Sequence, residues 1–267
     1  MTISSSRKRR TVSFTEIIDL STGIEHQAVH EPWKPSIRRI RHDVEGLAWM
    51  KDTFGVTEDD LVSSNGLGAA FEEVTAITHC GTHVDAPWHY GPQSEGRPAR
   101  TIEQCPLEWF FSDGVVLDLR HKRPGEKIIV DDLERALDVI DYTLKPLDIV
   151  MIMNGRDRFL GTPEYFDQPG MTRESTLWLV EQGIKVIGVD MYGFDRKFAD
   201  MAQEFRETSD GSVIWEAHFA GIEREYCQIE KLVNLGLIPR PSGFKVSCLP
   251  VKVEGASGGW CRAAAFV

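Results

Sequence analysis

Between positions 79 and 89 the chain reads His79-Cys80-Gly81-Thr82-His83-Val84-Asp85-Ala86-Pro87-Trp88-His89, placing three imidazoles and a carboxylate within eleven residues. These are the side chains that coordinate Zn or Mn. Two histidines with one carboxylate form a three-ligand set that leaves positions open for water or substrate. One histidine alone would more often be a hydrogen-bonded structural residue; four such groups together, with glycine and proline at the bends, favour metal chemistry.

Two histidines four apart share a helical face in the H-E-x-x-H zinc proteases. Here the position of that motif's glutamate holds Cys80, Gly81 and Thr82 are poor helix formers, and Pro87 cannot continue a helix. The segment is therefore expected to be extended or looped. His79, His83, Asp85 and His89 are all odd positions, so an extended chain points them the same way. A straight strand would still separate His79 from His83 by roughly 13 Å, too far for ligand bonds of about 2 Å each. The chain must bend, and Gly81 and Pro87 provide the means. The expected ligands are His79, His83 and Asp85. His89, beyond the proline, is placed beside the ion as a proton shuttle. Cys80 has even parity and reads as a small buried hydrophobe rather than a soft ligand.

The string His79-x-Gly-Thr-His83-x-Asp85-x-Pro-x-His89 resembles the signature of the metal-dependent cyclase family, which includes bacterial kynurenine formamidase and isatin hydrolase. Ile18-Asp19-Leu20-Ser21 resembles that family's first strand. Leu249-Pro250-Val251-Lys252, through Ala256 and Arg262 to Val267, resembles its closing strands. The resemblance implies a single α/β domain of the swivelling β/β/α kind that hydrolyses an amide, formamide or lactam. It implies one or two Zn or Mn ions and a homo-oligomer, dimer or tetramer. The residues matching His79, His83 and Asp85 would hold the ion, and Asp85 would bridge to a second one completed by His218 and Glu230. His89 matches the family's catalytic histidine. Stretches 44–60 and 155–170 are longer than in a typical formamidase, so the reaction carries over more readily than the substrate. The same ligand types also suit a non-haem iron oxygenase, a lyase or true cyclase, or a binding protein without turnover.

The elements that must position these groups follow from composition and pattern. With 267 residues and 42% hydrophobic content, the chain can bury one large core, expected over residues 13–267. Residues 1–12 are expected to be a disordered basic tail, because no apolar run follows Arg7-Lys8-Arg9-Arg10 as it would in a signal peptide. A formal net charge of -11 argues against nucleic-acid or anionic-membrane partners and favours a small-molecule substrate. No apolar stretch approaches the ~20 residues of a membrane span. The 5 cysteines are scattered without a C-x-x-C pair, which fits a reducing cytoplasm.

Strands are predicted near 17–20, 71–78, 114–119, 148–153, 185–190, 226–230, 244–249 and 260–267, with the 71–78 strand leading straight into the metal motif. Helices are predicted over 46–54, 131–140 and 172–183, with a short helix or turn at 212–219 presenting His218. Asp131 and Glu134 have the form of a capping box. The alternation implies a mixed, partly parallel sheet with helices packed on it. Trp33, between two prolines, is read as a core plug rather than a stacking surface. The loop 90–98 is read as a site cover, with Arg97 and Arg100 either meeting a substrate carboxylate or remaining solvated. Asp190, at a strand end, either orients a ligand histidine or caps a turn. Glu230, followed by Lys231, could instead belong to a surface ion pair.

Overall fold

A computed structural model describes residues 14–267; the basic tail expected over 1–12 lies outside the described residues. The main sheet has nine strands: β1 (Ile17–Asp19), β2 (His83–Asp85), β3 (Phe111–Asp118), β4 (Ile149–Met153), β5 (Val186–Val189), β6 (Cys227–Glu230), β7 (Phe244–Ser247), β8 (Gly258–Trp260) and β9 (Ala264–Phe266). Their order is β1-β9-β7-β3-β4-β5-β6-β2-β8. Strands β3 to β6 run parallel, and the remaining pairings are antiparallel. The expected alternation is present. Between β3 and β4 lies α3 (Val130–Val139), between β4 and β5 α4 (Arg173–Glu181), and between β5 and β6 α5 (Phe198–Thr208) and α6 (Glu216–Glu223). Two further helices, α1 (Glu45–Phe54) and α2 (Pro87–Tyr90), precede them.

The stretch read as a single closing strand over 260–267 is two strands, β8 and β9, near opposite ends of the sheet. Four residues reach at most about 14 Å, whereas seven strand spacings in a flat sheet cover about 34 Å. The sheet must therefore curl until its edges meet. Val233 N–H donates to Leu20 O at 3.0 Å, and Ser21 bridges to Leu232, across that closure.

Strand β4 explains why the central run is apolar throughout: all five of its residues are buried. Ile149, Met151 and Met153 point into the interior of the curl. Val150 and Ile152 face Leu133 and Leu137 of α3 and Leu179 and Val180 of α4. A strand covered on both faces loses the polar alternation of a half-exposed one. All five cysteines are free and buried. Among the described residues no helix is long and apolar enough to cross a membrane.

Two local expectations are corrected. The capping group of α3 is the buried Asp132, whose carboxylate accepts from Ile129 N–H at 3.0 Å and also takes Lys122 Nζ at 2.8 Å, so the capping pair is Ile129 and Asp132, two residues earlier than Asp131 and Glu134 suggested. The strand expected over 71–78 ends at Thr75 and pairs only with Ser36–Ile40, in a separate exposed two-stranded sheet. Its β-branched and aromatic residues suit a strand, but Thr78 and His79 form a turn.

Asp190 caps a turn. Its two oxygens accept from the amides of Asn154 at 2.8 Å and Gly155 at 2.7 Å, tying the end of β5 to the turn after β4. Burial nevertheless pushes this carboxyl up to about 7, against those two amides. Below about pH 4 the group is protonated both folded and unfolded. Between about 4 and 7 only the unfolded chain ionises, so this residue lowers stability as pH rises through that window, by about 1.4 kcal/mol for each step of one in pH. Asp190→Asn should therefore gain on the parent chain in melting temperature from pH 4 to 7; a constant difference across that range would rule out the raised pKa.

Candidate metal centre

The expected ligands come from three kinds of local structure. Within the 79–89 segment only His83 and Asp85 lie on an extended stretch, β2, where alternate positions share a face. Strand β2 is held between β6 and β8, with Glu230 opposite His83 and Gln228 opposite Asp85 on one side and Gly258 opposite Asp85 on the other. His79 sits in the preceding turn, which Gly81 completes with a left-handed φ of +61°. His89 lies on α2, where Pro87 fills the first helical position, the place where its missing N–H costs nothing. Proline thus begins a helical turn here instead of extending the chain. His218 is in α6 and Glu230 ends β6.

These elements bring all six expected residues to one place. His83 Nδ1–H donates to Gly81 O at 2.8 Å, which leaves Nε2 with a lone pair 3.1 Å from Asp85 Oδ1 and 3.6 Å from Glu230 Oε2. His79 Nδ1 is 2.6 Å from the same Asp85 oxygen, and its Nε2 is 2.8 Å from Ser257 Oγ. One donor atom from each of His79, His83 and Asp85 lies within 4.8 Å of the others. His83 Nε2 is buried without a hydrogen-bond partner, a costly state that a cation would relieve, so this donor set fits a divalent ion. Gly258 makes room: a Cβ there would stand 2.8 Å from His79 Cε1 and 2.9 Å from Val84 O.

On the other side of Asp85, His89 Nε2 is 3.8 Å and His218 Nε2 3.9 Å from Oδ2. His89 stacks on His79 at 4.1 Å between ring centroids. Asp195 accepts from His218 Nδ1–H and from the amides of Ala217 and His218, at 2.8 and 3.2 Å for the amides. The carboxylate that fixes a histidine tautomer is therefore Asp195 and not Asp190.

The electrostatics follow from burial set against neighbours. Burial alone would raise Asp85, but His89, His79 and His83 hold it well below the usual carboxylate range. Burial opposes charge on His79, yet Asp85 outweighs it and the pKa is raised. For His89 burial wins over Asp85 and pushes the ring down to about 4. Asp195 and Glu230 draw His218 upward against burial, whereas the Gln228 amide aimed at Nε2 suits the neutral ring. The contacts decide for the neutral tautomer, with its proton on Nδ1.

The site opens into a cavity of about 620 Å³ walled by Trp33, Ile77, Tyr192, Phe194, Phe198 and Trp215. Trp33 is 65% exposed at its rim, so it is not a core plug: the prolines around it hold it on the surface. Trp215 has a left-handed φ of +51°, uncommon for a bulky residue, and stacks on His218 at 4.6 Å. The 90–98 segment folds as a small hairpin against α6, with Ser94 Oγ–H donating to Gly221 O at 2.6 Å, and does not cover the cavity. Arg97 pairs with Glu95 and Arg100 with Glu225, so neither faces the site. Glu230 and Lys231 are buried and do not form a surface pair.

Lys231 instead donates to both oxygens of Glu31, at 2.9 and 2.7 Å, and to His79 O at 3.0 Å, while Glu31 accepts from Gly81 N–H at 2.8 Å. This ion pair clamps the bent ligand loop from both ends. Sequence reasoning missed Glu31, Lys231, Asp195, Gln228, Trp215 and Ser257. A period-two signal existed for Gln228, two before Glu230 on one strand; the others meet the site only through tertiary packing.

Several known proteins are similar to this chain. The Cyclase family profile matches residues 18–196. The kynurenine formamidase of Erythrobacter litoralis (strain HTCC2594) is 29% identical over 217 residues, 80% of this chain and 85% of its own. An isatin hydrolase solved with the product analogue thioisatinate superposes with a TM-score of 0.72 at 19% identity, covering 94% of this chain and 92% of that one. Isatin hydrolase A from Ralstonia solanacearum also gives 0.72, at 21% identity, over 94% and 91%.

Because Glu31 and Lys231 are each 3% exposed, removing one partner strands a buried charge. Lys231→Met and Glu31→Gln should each cost about 3–5 kcal/mol, whereas the double replacement should cost clearly less than their sum. Urea unfolding of the four proteins checks this; additive losses would show that the two groups are not coupled.

Proposed function

Because the chain belongs to the Cyclase family, we propose that it is a metal-dependent hydrolase cleaving the C–N bond of a small planar formamide, lactam or cyclic imide. The observation that carries the reading is the buried, unpartnered Nε2 of His83, facing Asp85 Oδ1 within the donor set His79, His83 and Asp85. The chemistry that a divalent ion, zinc or manganese, supplies when held there is Lewis-acid: activation of water and polarisation of a carbonyl. The names of the relatives, a formamidase and isatin hydrolases, support hydrolysis.

The chain's own groups take the remaining roles. His89, with its pKa near 4, is neutral at pH 7 and offers a lone pair. It accepts the proton of the attacking water and returns it to the leaving nitrogen. Its ring borders the cavity beside His79, so the proton stays next to the reacting atoms. Aromatic walls from Tyr192, Phe194, Phe198 and Trp215 suit a flat apolar substrate. Lys231, the lysine of the cavity wall, is committed to Glu31, which favours an uncharged substrate over one bearing a carboxylate.

His89→Ala should lower kcat roughly 10²–10⁴-fold with bound metal unchanged by elemental analysis, whereas Asp85→Ala should lose the metal. Full turnover in His89→Ala would remove the proton-transfer role. In labelled water the product should carry the label under anaerobic conditions; unlabelled product would indicate a lyase or cyclase, and a need for oxygen would indicate an oxygenase. The absence of turnover on a panel of formamides, lactams and imides would sink the hydrolase reading.

A further inference from the structure

Beside the His79, His83 and Asp85 set lies a second group of metal-ligand types, formed by the other oxygen of Asp85 with His218 and Glu230. His218 Nε2 stands 3.9 Å from Asp85 Oδ2 and 3.5 Å from Glu230 Oε1. Gln228, fully buried, occupies this place. Its amide nitrogen is 2.9 Å from Asp85 Oδ2, 2.7 Å from His218 Nε2 and 3.0 Å from Glu230 Oε1. The strand register delivers it there, since Gln228 is paired with Asp85 across β6 and β2.

We infer that this chain holds a single metal ion and that the amide of Gln228 stands where a second one would bind. The inference rests on the metal site proposed at His79, His83 and Asp85. The orientation of the amide is set by chemistry: carboxylate oxygens of Asp85 and Glu230 face it at 2.9 and 3.0 Å, and a carboxylate oxygen can only accept. An amide oxygen turned toward them would meet two negative charges. The N–H groups therefore point inward, and their hydrogens fill the space that a cation would need. At the other end of the amide, Tyr226 Oη lies 3.0 Å from Gln228 Oε1 and 2.9 Å from Ala217 O, two acceptors that share its one proton.

The two donor sets differ in one respect. In the first, His83 Nε2 is buried and lacks a partner; in the second, none of the three acceptor atoms does. An unmet lone pair invites a cation, whereas a satisfied hydrogen-bond network must be broken to admit one. His218 and Glu230 then act as the frame of an amide-bridged network that braces Asp85 from the side opposite its ion.

The test is a metal count. The full chain, purified without added metal, is equilibrated with excess zinc or manganese, desalted and measured for ions per chain by elemental analysis. The parent chain should hold one ion, and His218→Ala should keep one. Gln228→Ala should take up a second, and Gln228→Glu, which replaces the amide donor by a carboxylate, should do so even if the alanine variant does not fold. Two ions in the parent chain would overturn the inference, as would a count that stays at one in both Gln228 variants. A second ion lost in Gln228→Ala would make the residue a ligand. No ion in the parent chain would instead sink the metal site itself.

Discussion

A carboxylate sealed from water is the constraint on which this structure depends. Asp85 is fully buried, and its charge is met by His79 at one oxygen and by the Gln228 amide at the other. His79 and His83 converge on one oxygen and Gln228 on the other, with His89 and His218 just beyond. Each neighbour is fixed by a further partner: Ser257 for His79, the Gly81 carbonyl for His83 and Asp195 for His218. The site is a set of nested supports around one negative charge.

The sheet is what makes such crowding feasible. Strand β2 is only three residues long, yet it lies between β6 and β8, so its backbone is bonded on both sides. Because side chains alternate, a slip of one residue would turn His83 and Asp85 away and expose Val84 to the site. Val84 belongs to the interior core, and that apolar contact holds the register. The bent turn before β2 has no such ladder, and the buried Glu31 and Lys231 pair does the equivalent work there.

Much of this was legible in the sequence. The density of imidazole and carboxylate at 79–89 pointed to the donor set, Gly81 to the bend, and the apolar runs at 148–153 and 185–190 to buried central strands. The even parity of Cys80 matched its full burial. What could not be read depends on three-dimensional closure. The division of the last strands between two ends of the sheet is invisible in a local pattern, because both halves are apolar. Trp33 shows the same limit: hydrophobicity says that an aromatic ring wants cover, but not that a cavity rim supplies it. Asp190 and Asp195 lie five residues apart, and nothing in their surroundings says which holds the histidine; only the turn from β5 into α5 decides it.

The curl has a consequence for how the chain acquires its chemistry. His79 leans on Ser257, 178 positions away, while Asp85 needs the strand at 227–230 beside it. Contacts of such long range are slow to form, because loop-closure entropy is lost before they reward it. During synthesis, residues 79–89 must wait as an unsatisfied cluster of imidazole and acid groups until the last third of the molecule arrives. A cation met in that interval would face a flexible peptide instead of a shaped pocket, so the selectivity of the proposed site belongs to the finished, curled sheet and not to its signature segment.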